Sequence, residues 1–167
     1  MPEPERSERP YEGDVLAVTV EHWGGAKREI VERADAVAIV ATDAAGRLVL
    51  VRQLREAARR ELVELPAGSI DGDENPLKTA KRELREETGL HGGSWRAGPV
   101  VYSTPGFCRE RMHLFLADGV EEGPADPDSG ERIEVLRWRA DEVEERLGEI
   151  EDAKTLAGML LYLRERS

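Results

Sequence analysis

The chain has 167 residues, with 24 Lys and Arg against 35 Asp and Glu, a formal net charge of −11. That balance leaves no basic footprint for nucleic acid and repels an anionic membrane surface. The length suits one domain with a real core and is short for two.

Residues 1–10, charged and rich in proline, read as a disordered tail, and 11–167 as a single domain. Val15 to Val20 and Arg28 to Arg33 read as strands, joined through a tight turn at Trp23-Gly24-Gly25-Ala26. Ala36 to Thr42 and Leu48 to Leu54 form a second pair around Asp43-Ala44-Ala45-Gly46, and Glu61 to Pro66 is a shorter strand. The clearest helix has Asn75 as N-cap, Pro76 at its first position, and Gly89 after Thr88 to end it. Strands return at Trp95 to Ser103, His113 to Ala117 and Ile133 to Trp138, with an acidic loop at Glu121 to Gly130. Two helices follow, Asp141 to Leu147 and Asp152 to Arg164, the second with an apolar stripe of Leu156, Met159, Leu160 and Leu163. This order predicts an α/β (α+β) domain.

The N-terminus lacks the apolar core of a signal peptide, and no apolar run nears the roughly 20 residues of a membrane span. A cytoplasmic protein is the expectation. The single Cys108 excludes an intrachain disulfide and a Cys-rich zinc site. His22, His91 and His113 show no ligand spacing, and Trp23, Trp95 and Trp138 suit core or interface.

On the helix from Asn75, Glu83, Glu86 and Glu87 fall within an arc of about 100°. A solvated acidic face is one reading. It sits poorly with the neighbours, because no cation is expected beside Glu83 and like charges at that spacing weaken a helix. The other reading is a divalent metal, Mg²⁺ or Mn²⁺, held by oxygen ligands.

A wider window carries more. Gly68, five residues, Glu74, seven residues, then Arg82-Glu83-Leu84-Arg85-Glu86-Glu87-Thr88-Gly89-Leu90 resembles the Nudix box at all nine specified positions. Chance agreement over a chain this long is on the order of 10⁻⁸. The resemblance implies a Nudix α/β/α sandwich with a mixed sheet, here with core 34–167. It implies hydrolysis of a nucleoside diphosphate linked to another group. Glu83 and Glu87 then correspond to metal ligands, Glu86 to a third ligand with a catalytic part, and the Ala67 carbonyl to a further one. Arg82 joins the catalytic set, steadied by Glu74, and Gly68 and Glu74 with Gly89 are structural.

Other segments are similar to the ADP-ribose pyrophosphatase subfamily. Pro105 lies 16 residues after Gly89, in Ser103-Thr104-Pro105-Gly106-Phe107-Cys108-Arg109-Glu110-Arg111. Glu110 matches a loop glutamate that works at the metals, with Arg109 and Arg111 as its possible partners or as phosphate contacts. Arg28, Arg55 and Glu64 match substrate-binding positions. The subfamily implies a homodimer built through N-terminal strands, here 11–33, and a small-molecule substrate, ADP-ribose, cut to AMP and ribose 5-phosphate. Other nucleoside diphosphate sugars such as GDP-mannose are the alternative. A non-catalytic nucleotide sensor fits less well, because the glutamates are all present. The acidic run near Glu131 and Glu134 reads as solvated, with a second loop carboxylate near the metals as the alternative.

Overall fold

The computed structural model describes residues 2–123 and 133–166. Strand β4 (Ala36–Asp43) is buried at every position, and its alternation feeds two cores. Val37, Ile39 and Ala41 pack with Ala80 and Leu84 of helix α1 (Pro76–Thr88). Ala36, Ala38 and Val40 pack with Val143 of α2 (Ala140–Arg146) and with Met159 and Tyr162 of α3 (Ala153–Arg164). The sheet therefore has helices on both faces.

Around β4 run β5 (Leu48–Arg55), β6 (Arg60–Glu64), β7 (Ala67–Ser69), β8 (Leu90–Tyr102), β9 (Arg111–Glu122) and β10 (Glu134–Trp138). The spatial order is β10-β5-β4-β9-β8, with β6 on β5 and β7 on β4. The β4–β9 pair is parallel and the others antiparallel, so the sheet is mixed. β7 is too short and glycine-bearing to be read from sequence. It pairs Ala67 with Ala38 and thereby sets Ala67 and Gly68 beside α1.

A second, three-stranded sheet holds β1 (Arg6–Glu12), β2 (Ala17–Trp23) and β3 (Ala26–Glu32). The expected tail at 1–10 is corrected here, since Arg6 to Pro10 lie within β1 and pair antiparallel with β2. Sequence reasoning missed it because β1 is exposed at all seven positions, so no hydrophobic pattern marks it. Pro10, lacking an N–H, falls where the register breaks between Glu8 and Tyr11. The accessible surface of 10201 Å² exceeds by roughly 2,000 Å² the value that size scaling gives for a globular monomer. An exposed edge sheet is in keeping with that excess.

Two further expectations shift. The inward face of α3 is Thr155, Gly158, Met159 and Tyr162, while Leu156 and Leu160 are exposed. Gly158 lets the helix sit close, because a Cβ there would lie 2.3 Å from Leu65 Cδ1. The loop expected from Glu121 instead begins after β9 ends at Glu122. Most of that loop, and Glu131 with it, lies outside the described residues, whereas Glu134 opens β10 and pairs with Arg52 at 2.6 Å. Among the described residues, no helix is long and apolar enough to cross a membrane.

Candidate active site

Helix α1 is closed at both ends as its sequence dictates. Asn75 Oδ1 accepts from the Leu77 and Lys78 N–H groups, and Gly89 takes the left-handed conformation, φ 71°, that ends the helix. Leu84 and Ala80 anchor the inner face, so Arg82, Glu83, Glu86 and Glu87 turn toward β7 and solvent.

Arg82 organises that face. Its Nη2 lies 3.4 Å from Glu74 Oε2, as expected. Its Nη1 lies 2.8 Å from Glu83 Oε1 and 2.9 Å from Glu86 Oε2. The expectation that no cation stands beside Glu83 is therefore corrected. Adjacent helical residues diverge at Cβ, yet the long guanidinium stem reaches back to its neighbour. Burial is the largest influence on the Glu83 carboxyl. Arg82 opposes it, Glu86 and Asp71 add to it, and the pKa ends above the usual carboxylate range.

The strand segment Ala67–Gly68 lies directly against these carboxylates. Glu87 Oε2 accepts from the Ala67 N–H at 3.0 Å. A Cβ on Gly68 would stand 2.0 Å from Glu83 Cδ, so only glycine allows this approach. Among the described residues, no three Asp, Glu, His or Cys side chains are grouped so as to hold a metal. Arg82 occupies the space between Glu83 and Glu86, and Glu87 turns to the backbone. The donor chemistry nevertheless fits a hard divalent cation. Glu83, Glu86, Glu87 and the Ala67 backbone offer oxygen alone, and Gly68 clears the approach.

Ala67 and Gly68 also line a cleft of about 750 Å³, together with Arg33, Arg55, Glu64 and Glu110. Arg55 and Glu64 form a two-point pair, Nε to Oε1 at 2.7 Å and Nη2 to Oε2 at 2.8 Å. Burial works against ionisation of Glu64 most strongly, but the Arg55 hydrogen bonds and the Lys154 charge together hold its carboxyl below the usual range. Glu110 is 8% exposed and faces Arg33, whose Nε is 3.0 Å away.

The loop that carries Glu110 is tied to β3. Val31 N donates to Phe107 O at 2.7 Å, and Arg109 N donates to Val31 O at 3.0 Å. Arg109 pairs with Glu21 and Glu32, and Arg111 with Asp35, so neither is a partner of Glu110. Cys108 is buried, as its lack of an expected role would allow.

The structure thus brings Arg55, Glu64, Ala67, Gly68 and Glu110 to one cleft, with the α1 carboxylates against its Ala67–Gly68 edge. It does not bring Arg28 there: Arg28 is exposed on β3 and donates to Lys27 O at 3.2 Å. Arg33, five residues later on the same segment, lines the cleft instead and also reaches Ser69 Oγ at 3.4 Å. Lys154 and Asp152 of the α3 N-terminus are further charged cleft residues that sequence reasoning missed. One signal for Lys154 was available: a cation in a helix's first turn opposes the helix dipole and asks for a reason.

The NUDIX domain family model matches residues 32–158. The chain is 36% identical to an ADP-ribose pyrophosphatase of Bacillus subtilis, over 94% of this chain and 89% of that protein. It is 40% identical to an ADP-ribose pyrophosphatase of Mycobacterium tuberculosis, over 80% of this chain and 67% of that one. It is also 34% identical to a GDP-mannose pyrophosphatase of Escherichia coli, over 83% and 78%. The solved structure of an ADP compounds hydrolase superposes with a TM-score of 0.80 over 99% of this chain and 93% of that chain, at 21% identity, which bears on the fold alone.

Proposed function

This chain belongs to the Nudix family and is a pyrophosphohydrolase, and we propose that it cleaves the pyrophosphate bond of ADP-ribose with water, giving AMP and ribose 5-phosphate. The observation that carries the reading is the cleft, with two arginines on its walls and the α1 carboxylates packed against its Ala67–Gly68 edge. Resemblance to the two ADP-ribose pyrophosphatases over most of the chain supports the choice of substrate. We place the enzyme in the cytoplasm.

Glu83, Glu86 and Glu87 with the Ala67 carbonyl would hold a divalent cation, Mg²⁺ or Mn²⁺. Bound there, the cation would supply charge for the phosphates and a more acidic water. The chain's own residues do the rest. Arg82 holds Glu83 and Glu86 in place, and its guanidinium fills the space that a cation bound by these glutamates would take over. Arg55, steadied by Glu64, keeps donors for phosphate or ribose oxygens. Glu110, 3.0 Å from Arg33 Nε on the cleft wall, is the carboxylate that accepts a proton from the attacking water. Phosphoryl transfer depends on positioning and charge, so Cys108 has no task. Arg28 acts in the partner's cleft of a homodimer formed through β1–β3.

The test is a competition. The protein is mixed with Mg²⁺ and equal concentrations of ADP-ribose and GDP-mannose, and products are separated by chromatography. AMP and ribose 5-phosphate first is the expected result. GMP first, with ADP-ribose intact, would keep the chemistry and transfer the substrate to the alternative that the Escherichia coli relative suggests. Sedimentation as a monomer would remove the partner role of Arg28.

A further inference from the structure

We propose that Lys154 is a positioning residue for Arg55, acting through Glu64 to set how the cleft binds its anionic substrate. The inference rests on the pyrophosphatase reading of the cleft. Lys154 is the second residue of α3, after the N-cap Asp152. That is the positive end of the helix dipole, where a cation is disfavoured. Its side chain is only 17% exposed. A lysine so placed needs compensating contacts, and it has two. Its ammonium donates to Glu64 Oε2 and lies 3.0 Å from Asp152 Oδ2.

Glu64 is 1% exposed and takes donors from both sides. Arg55 approaches from β5 and uses Nε and Nη2. Lys154 approaches from α3 on the oxygen that Arg55 Nη2 also uses. The carboxylate is thereby fixed from two elements, and a bidentate pair fixes the plane of the guanidinium. The remaining Arg55 N–H groups then point from a set position, on a side chain 41% exposed at the cleft.

The same helix end is fastened to the strand's continuation. Thr155 Oγ1 accepts from Leu65 N at 2.8 Å, and Thr155 itself is held by Asp152. Leu65 leads through Pro66 to Ala67 and Gly68. The first turn of α3 therefore grips both ends of the Glu64–Leu65 step, the ammonium at one residue and the hydroxyl at the next.

The test uses Lys154→Met, Lys154→Gln and Lys154→Arg in the full chain. In Lys154→Met the KM for ADP-ribose should rise about tenfold, with kcat within about threefold of the parent. Hydrogen exchange of the Arg55 Nε–H, identified by its loss in Arg55→Lys, should accelerate about tenfold. Lys154→Gln should fall between, and Lys154→Arg should recover most of both. Exchange needs no substrate, so a parent enzyme that hydrolyses only GDP-mannose would overturn the substrate reading while exchange still decides the role of Lys154. A lower melting temperature with unchanged KM and exchange would make Lys154 merely structural and overturn the proposal. A change in KM without a change in exchange would make it a direct substrate contact and also overturn it.

Discussion

Helices α1 and α3 pack on opposite faces of β4, yet they reach the same few residues by different means. α1 carries five charged side chains within the six positions 82–87 and presses two carboxylates on Ala67 and Gly68. α3 presents one half-buried lysine and one buried threonine, on Glu64 and Leu65. The first device is dense, local and acidic. The second is sparse and built across 90 residues of sequence. Their difference suggests a division of labour, with chemistry on the α1 side and placement on the α3 side.

The largest effect should come from the α1 carboxylates. Glu83→Gln or Glu87→Gln should lower kcat by about a thousandfold, the scale of losing a charge-stabilising group, while circular dichroism stays native. Parent-like rates in either variant would break the division at its stronger end. Gly68→Ala should come next. The added methyl meets Glu83 Cδ at 2.0 Å, so the carboxylate must move, and kcat should fall about a hundredfold. A full rate there would mean that the Gly68–Glu83 approach is idle.

Thr155→Val should act on stability. It leaves Leu65 N without its partner inside the protein, which costs about 1–3 kcal/mol, read from urea unfolding. A kcat loss as large as that of Gly68→Ala would erase the distinction between the two helices.

The smallest effect is a pH dependence. The Glu64 carboxyl sits below the usual range in the folded protein. Its stabilising contribution is therefore complete above the unfolded-state pKa and disappears as pH falls through the lower folded value. The melting temperature should drop on acidification through that window, and Glu64→Gln should show a shallower drop. Asp43, whose burial is outweighed by its Arg47 and Ala45 hydrogen bonds, shifts the same way and should keep a part of the slope in that variant.

The same contrast explains what the sequence discloses. The wider run from Gly68 to Leu90 was read through its resemblance to the Nudix box, and Glu83, Glu86 and Glu87 could be read as one face because a helix places residues three and four apart together. Asn75, Pro76 and Gly89 mark its ends by backbone chemistry that any helix obeys. β4 was legible for another reason, since a continuous apolar run marks a strand buried on both faces. Lys154 was not, because its meaning lies in Glu64, and nothing local joins them. Arg28 and Arg33 show the limit of pattern matching. Arg28 lies within β3 and Arg33 just past its end, and only the course of the chain after β3 decides that Arg33 enters the cleft. β1 escaped because an all-exposed strand has no hydrophobic period to find.

The most direct measurement follows the phosphorus signals of ADP-ribose with the purified protein, first with Mg²⁺ and then with excess chelator. Conversion of the pyrophosphate resonances to those of AMP and ribose 5-phosphate with Mg²⁺, and none with chelator, is the expected result. Intact ADP-ribose with the metal present, or hydrolysis that ignores the chelator, would contradict a metal-dependent cut at the cleft beside α1.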